Sequence, residues 1–221
     1  MKQNRNYFKI VSSFIVAVVI LTYISQVQAI NVNKIIKKVQ NTYEDMDNLS
    51  ASFVQIETFK LTGSQTEVVG KLYVKNGNSY RFETEDQVFV TDGKTVWTYN
   101  LLSKQLIIDN VRENSGALIP RDMLFKYPKT HFATLISEEE VDGRAIYQVR
   151  LDPKEESSSF LSAIKIWVEE DTWTICKMET IDLNGNSRVF EIRDMDSKTK
   201  LSDSLFMYSA PEGSDVMDMR K

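Results

Sequence analysis

The apolar positions change period along the chain, and each change predicts an element. Val32, Ile35, Ile36, Val39, Tyr43 and Met46 recur at steps of three and four, while Lys34, Lys37, Lys38 and Glu44 fall off the stripe and Asn31 stands where a cap is needed. That spacing predicts an amphipathic helix lying on something apolar. From Leu49 onward the period is two, in short runs: Ala51 to Phe59, Val68 to Lys75, Tyr80 to Glu83, Gln87 to Thr91, Thr95 to Tyr99 and Gln105 to Asp109. A second series comprises Glu139 to Val141, Ala145 to Leu151, Ala163 to Glu169, Trp173 to Asp182 and Arg188 to Asp194. The separators Gly77-Asn78, Asp92-Gly93, Asp142-Gly143 and Asn184-Gly185-Asn186 are residues that accept positive φ, as tight hairpins require. The expectation is an antiparallel meander of about ten or eleven strands, more than a flat sheet readily holds, so the sheet should curl or split.

Between the two series the alternation stops. Glu113 to Ile136 contains Gly116, Pro120 and Pro128 together with Leu118, Ile119, Met123, Leu124, Phe125 and Tyr127. One or two short helices, apolar on more than one side, are expected there, covering the mouth or one face of the sheet.

The first 29 residues read differently again. Lys2, Arg5 and Lys9 precede an apolar run from Ile10 to Ile24, and Val27-Gln28-Ala29 offers the short residues that a signal peptidase reads. This predicts a secretory signal peptide over 1–29, too short in its apolar core to serve as a membrane span, and one domain over 30–221. Cleavage would shorten the chain from 221 to 192 residues and move the formal charge from −4 to −7. No cysteine lies at the cleavage point to accept a lipid, so an exported, soluble protein is expected.

Composition narrows the chemistry. The chain is 42% hydrophobic and 26% charged, which excludes a disordered or collagenous chain. One cysteine, Cys176, excludes an intrachain disulfide, and one histidine, His131, makes His-based triads and multi-His metal sites improbable. Cys176 reads as an inert buried residue and His131 as a surface or lid residue. The acidic balance without a basic run argues against nucleic acid. Asp92-Gly93-Lys94-Thr95 ends like a phosphate-binding loop, but position 88, where that loop needs glycine, is Val. Asp182 to Asn186 resembles the start of a calcium loop, yet its glycine is at the fourth position and Arg193 occupies the twelfth. Glu138, Glu139 and Glu140 alternate faces on a strand and cannot act as one acid–base pair. An enzyme is not expected, nor any cofactor or metal.

What remains is an apolar surplus. Leu72 and Val74 alternate with Tyr73, Val88 and Val90 with Phe89, Val96 with Trp97, and Ile164 and Ile166 with Trp167, so both faces of several strands carry large apolar groups. Pattern alone fits a sandwich core equally with a curled sheet whose inner face holds a long hydrophobic ligand.

The run Leu49-Ser-Ala-Ser-Phe53-Val-Gln55, then Gly70-Lys-Leu72-Tyr-Val74, Tyr80-Arg81-Phe82-Glu83 and Thr91-Asp92-Gly93-Lys94-Thr95-Val96-Trp97-Thr98-Tyr99-Asn100, resembles the motifs of the periplasmic outer-membrane lipoprotein carrier family, LolA. Leu201-Ser-Asp-Ser-Leu205-Phe206 and Ala210-Pro211-Glu-Gly213 resemble that family's closing segment. The resemblance implies an open, incomplete antiparallel β-barrel with an N-terminal helix and a mid-chain helical lid over an apolar cavity. It implies a monomeric periplasmic chaperone that carries acylated lipoproteins from an inner-membrane lipoprotein-releasing ABC transporter complex to an outer-membrane lipoprotein receptor, with no covalent chemistry. A lipid-sensing regulatory module on the same half-barrel is the alternative. The expected cavity residues are Phe53, Leu72, Val74, Tyr80, Phe82, Phe89 and Trp97, with Leu118, Ile119, Met123 and Leu124 on the lid. Family members carry an Arg-Pro pair after the second strand, whose Arg holds the lid; here Asn76-Gly77 stands there, so Asn76 or Arg81 is the candidate latch.

Overall fold

The computed structural model describes residues 31–76, 78–111, 127–155 and 160–220. The segment read as a signal peptide, and Leu118, Ile119, Met123 and Leu124 of the expected lid, lie outside the described residues. Helix α1 (Val32–Glu44) begins as its sequence demands, with the Asn31 carboxamide oxygen accepting from the Asn33 amide at 2.8 Å. It buries Ile35 and Val39, the middle of the expected stripe.

The strands follow in chain order: β1 (Asn48–Thr58), β2 (Gln65–Lys75), β3 (Ser79–Thr84), β4 (Gln87–Thr91), β5 (Thr95–Asn100) and β6 (Gln105–Asn110). A short helix, α2 (Tyr127–Thr130), leads into β7 (His131–Val141), β8 (Arg144–Pro153), β9 (Leu161–Glu169), β10 (Ile175–Asp182) and β11 (Ser187–Asp196). A 3-10 turn, Asp203–Phe206, and β12 (Asp215–Asp218) close the chain. These twelve strands form one sheet in the order β12-β6-β5-β4-β3-β2-β1-β11-β10-β9-β8-β7. Its edges are β12 and β7, so the sheet is open. The expected count of about ten or eleven strands is therefore corrected to twelve among the described residues.

Two local departures have simple causes. The stretch 131–136, read as part of a helical insertion, is strand. His131, Ala133 and Leu135 alternate with Phe132, Thr134 and Ile136, a period of two that the preceding Pro128 obscures. Strand β12 pairs parallel to β6, with Val216 opposite Leu106, where an antiparallel sheet was expected throughout. The chain reaches that edge by a crossing segment instead of a hairpin, and only a hairpin forces antiparallel pairing.

Register sorts the side chains onto two faces, because directly opposed residues point the same way. Ala51 lies opposite Leu72, Leu49 opposite Val74 and Phe53 opposite Gly70. Leu72 then faces Phe82, Val74 faces Tyr80, and Phe82 faces Phe89. On the other flank Phe53 faces Ile192, and Phe190 faces Met178, which faces Ile166, which faces Val149. These residues share one face. Tyr147 belongs to it through Val168, and Tyr147 stacks on Trp173, with ring centres 5.8 Å apart, while Lys38 of α1 stands over the Trp173 ring at 3.8 Å. The Tyr43 hydroxyl of α1 accepts from the Ile175 amide. We call this the helix face.

Over β3 to β6 the opposite face is covered by the chain after β11, while Val69 of β2 and Phe132 of β7, which point to the same side, are 60% and 62% exposed. Val88, Val90, Trp97, Tyr99 and Leu106 form a buried cluster in the covered part, and Tyr208 and Ala210 pack on it. Phe206 of the 3-10 turn is 2% exposed, a burial worth about 1.5–3 kcal/mol. Strand side chains hold this strap, residues 197–214, in place. Lys75 Nζ donates to the Leu201 carbonyl at 2.7 Å, Arg81 Nη1 donates to the Leu205 carbonyl at 3.1 Å, and the Asn48 carboxamide oxygen accepts from the Leu201 amide.

Candidate functional site

The middle of the helix face is an aromatic and aliphatic floor. Phe53 is its centre, with Phe82 at 5.9 Å and Phe190 at 6.0 Å between ring centres, both edge-on. Edge-to-face contacts of this kind add about 0.5–1.5 kcal/mol each beyond burial. Gly70 makes the arrangement possible, since a Cβ there would overlap the Phe53 ring. Tyr80 stacks on Phe89 with ring centres 6.1 Å apart.

Burial is uneven across this face. Leu151, Ile164, Val149 and Val168, on the β8 and β9 flank, are fully enclosed. Toward β2, β3 and β4 the large side chains Val74, Phe82 and Phe89 are only half-buried, as are Met178, Phe190 and Ile192 beside them. Partly accessible aromatic surface in the middle of a sheet face is unlike a closed core, where such groups are covered.

Six of the seven expected cavity residues, Phe53, Leu72, Val74, Tyr80, Phe82 and Phe89, share this face. Trp97 does not. It pairs with Val90, while Thr98 pairs with Phe89, so Trp97 points to the strap face and belongs to the cluster under Tyr208. A shift of one residue in an assumed register exchanges the two faces, and the expectation for Trp97 is corrected on that ground. Phe190, Met178 and Ile192 were absent from the expected set. Their alternation in β10 and β11 was visible, but only the pairing of β1 with β11 assigns them to the face of Phe53.

The latch candidates also move. Arg81 pairs with Tyr73 and Val90, on the strap face. There Nε donates to Glu83 at 2.6 Å and the guanidinium lies 5.7 Å from the Tyr208 ring centre. Arg81 thus clamps the C-terminal strap and does not reach across the helix face. Asn76 is exposed, with a φ of 50° in the turn after β2 and its amide donating to the Asp47 carbonyl. The expected contact of either residue with the lid concerns segments outside the described residues.

The two motifs tested for phosphate and calcium are turns. The Asp92 carboxylate accepts from the amides of Lys94 at 2.8 Å and Thr95 at 2.7 Å, and Gly93 sits at a φ of 88°. Asp182 accepts from the amides of Asn184 and Asn186 and from the Asn186 side chain. Burial works against ionisation of Asp182, but these hydrogen bonds outweigh it and hold the carboxyl below the usual carboxylate range. His131 is 4% exposed at the start of β7, not a surface residue, with Nδ1 2.9 Å from the Thr130 hydroxyl. Cys176 is half-buried. Burial, then the charge of Glu169, pushes its thiol up, so it stays protonated and unreactive at neutral pH. Burial also drives Tyr43 up to about 12, and burial together with Glu170 does the same for Tyr147, so both phenols remain neutral.

A sheet open at both edges, one helix on an apolar face and a strap on the other is a specific architecture, and comparison with known proteins agrees with it. The family model for the outer membrane lipoprotein carrier protein LolA matches residues 44–209. The chain belongs to that family. The outer-membrane lipoprotein carrier protein of Histophilus somni is 26% identical over 189 residues, covering 84% of this chain and 88% of its own. That of Haemophilus influenzae is 27% identical over 179 residues, covering 80% and 83%. Among solved structures, an uncharacterized conserved protein of Thermus thermophilus superposes with a TM-score of 0.57 at 15% identity, covering 84% of this chain and 98% of that one, which shows a shared fold.

Proposed function

We propose that the protein is a periplasmic carrier that holds lipoprotein acyl chains on the helix face and moves them from the inner toward the outer membrane. The observation that carries this reading is the half-buried floor of Phe82, Phe89, Val74, Phe190 and Met178. Such a surface gains by taking up hydrocarbon: each methylene removed from water is worth about 0.8 kcal/mol. Two chains of ordinary length therefore supply enough to keep an anchor from aggregating. The carrier role named for the related proteins of Histophilus and Haemophilus, with which the alignment runs through most of both chains, supports the same reading.

In this reading residues 1–29 direct export and are removed, and residues 30–221 act alone as one domain. No chemistry is performed on the cargo. Its transfer is downhill: an inner-membrane releasing complex loads the face, and an acceptor that binds the anchor more tightly unloads it, since only differential affinity shifts an equilibrium.

A charge placed in the floor tests this. Phe82→Glu is expected to leave the sheet folded by circular dichroism and to abolish retention of a purified lipoprotein in solution. Undiminished retention by a folded variant would remove Phe82 and the floor around it from the binding surface.

A further inference from the structure

At one end of the floor a charged pair faces the same way as the aromatic residues. Glu57 and Arg188 are directly opposed on β1 and β11, and Arg188 Nη2 donates to Glu57 Oε1 at 2.9 Å. One step along the same strands on the same face stand Gln55 and Phe190, and one further Phe53 and Ile192. The next strand continues the pattern, with Thr180 opposite Arg188 and Met178 opposite Phe190. Apolar floor and polar end are thus one same-face strand step apart, about 7 Å.

The Arg188 Nε itself is buried and has no hydrogen-bond partner among the described residues, although the side chain as a whole is 40% exposed. A buried N–H without an acceptor is costly, and a guanidinium donor especially so. Thr180 does not supply the missing acceptor from where it lies, since its hydroxyl is turned to the Arg188 carbonyl at 3.5 Å. The guanidinium is already neutralised by Glu57. An incoming carboxylate would meet the Glu57 charge, whereas an uncharged carbonyl oxygen would not.

We propose that Arg188 Nε reads the carbonyl oxygen at the head of an acyl chain, an ester or amide carbonyl of the cargo's lipid anchor, while the chain itself lies along Phe190, Phe53 and Phe82. This rests on the carrier reading and deepens it: the floor supplies affinity, and Arg188 sets the depth at which the chain stops. Glu57 acts as the positioning residue that holds the guanidinium in place.

The test compares two synthetic lipopeptides of equal chain length, one with ester-linked chains and one with ether-linked chains that lack the carbonyls, titrated against the purified protein. Wild type is expected to bind the ester probe about tenfold more tightly, the size of one hydrogen bond to a charged donor. Arg188→Lys retains a cation for Glu57 but loses the Nε donor, and is expected to fold normally and bind both probes at the ether level. Arg188→Met should behave likewise if it folds, and Arg188→Lys keeps the test decisive if it does not. Equal binding of both probes by wild type, or an ester preference that survives in folded Arg188→Lys, overturns the assignment and leaves the carrier reading intact. Tighter binding of a free fatty acid than of the ester probe also overturns it, in favour of a carboxylate. Failure of wild type to bind any probe overturns both readings together.

Discussion

Replacing Gly70 with alanine puts a methyl group into space that is already filled. The new Cβ would overlap the Phe53 ring and stand 2.5 Å from the Glu83 carbonyl oxygen, against an ordinary contact of about 3.5–4.0 Å. Neither neighbour yields easily. Phe53 is 3% exposed and wedged between Phe82 and Phe190, and the Glu83 carbonyl belongs to β3. Overpacking of this kind costs about 1–3 kcal/mol. If Phe53 swings away instead, about 1.5–3 kcal/mol of burial and part of two aromatic contacts are lost. Against this, alanine restrains the unfolded chain more than glycine, by about 0.4–1 kcal/mol. The expected net loss is about 2 kcal/mol. Urea unfolding followed by fluorescence of the three tryptophans measures it. With a slope of about 2 kcal/mol per molar, the midpoint should fall by about 1 M at unchanged slope. The double variant Gly70→Ala/Phe53→Ala should be less destabilised than the two singles added together, by about 1 kcal/mol, because the ring that clashes is gone. An unchanged midpoint, or strict additivity, would refute the packing described here.

Two further outcomes are expected. Arg81→Met removes the charge-assisted hydrogen bond to the Leu205 carbonyl and leaves Glu83 without its partner, so the strap should loosen by about 1.5–3 kcal/mol; limited proteolysis within 207–214 should accelerate, and an unchanged cleavage rate would show that the strap does not depend on Arg81. Asp182 has a lowered folded-state pKa, so its contribution to stability is present above the unfolded carboxylate pKa of about 3.9 and is lost as pH falls through the folded value. Asp182→Asn should therefore flatten the stability profile below about pH 4, and an identical acid limb in both proteins would dismiss the turn as its source.

Much of the fold was legible because its signals are local. The stripe on α1, the period of two and the Gly-containing turns each depend on residues a few positions apart. What the sequence concealed is long-range. Trp97 and Phe89 are both large aromatics in neighbouring strands, and nothing local says that one faces the strap and the other the helix side; the pairing of Val90 with Trp97 decides it. The strap carries no periodicity of its own. Its anchors, Lys75 and Arg81, lie more than a hundred residues away in sequence, so its covering of Val88, Val90 and Leu106 is a property of the folded chain alone. Arg188 reads as an ordinary strand charge until β1 and β11 pair and set it against Glu57 on the aromatic face. The apolar surplus now divides by position: over β3 to β6 one face is covered by the C-terminal strap, in β9 Trp167 lies under Lys177, and the helix face offers partly accessible aromatic surface.

The proposed carrier role requires that this helix face take up lipid anchors. Native mass spectrometry of the protein purified from its source cells without detergent measures that uptake. A population whose added mass matches an acylated lipoprotein or its lipid anchor is expected, as is its loss in folded Phe82→Glu. Protein that carries no acyl-bearing species, and that also fails to keep a purified lipoprotein in solution, would contradict it.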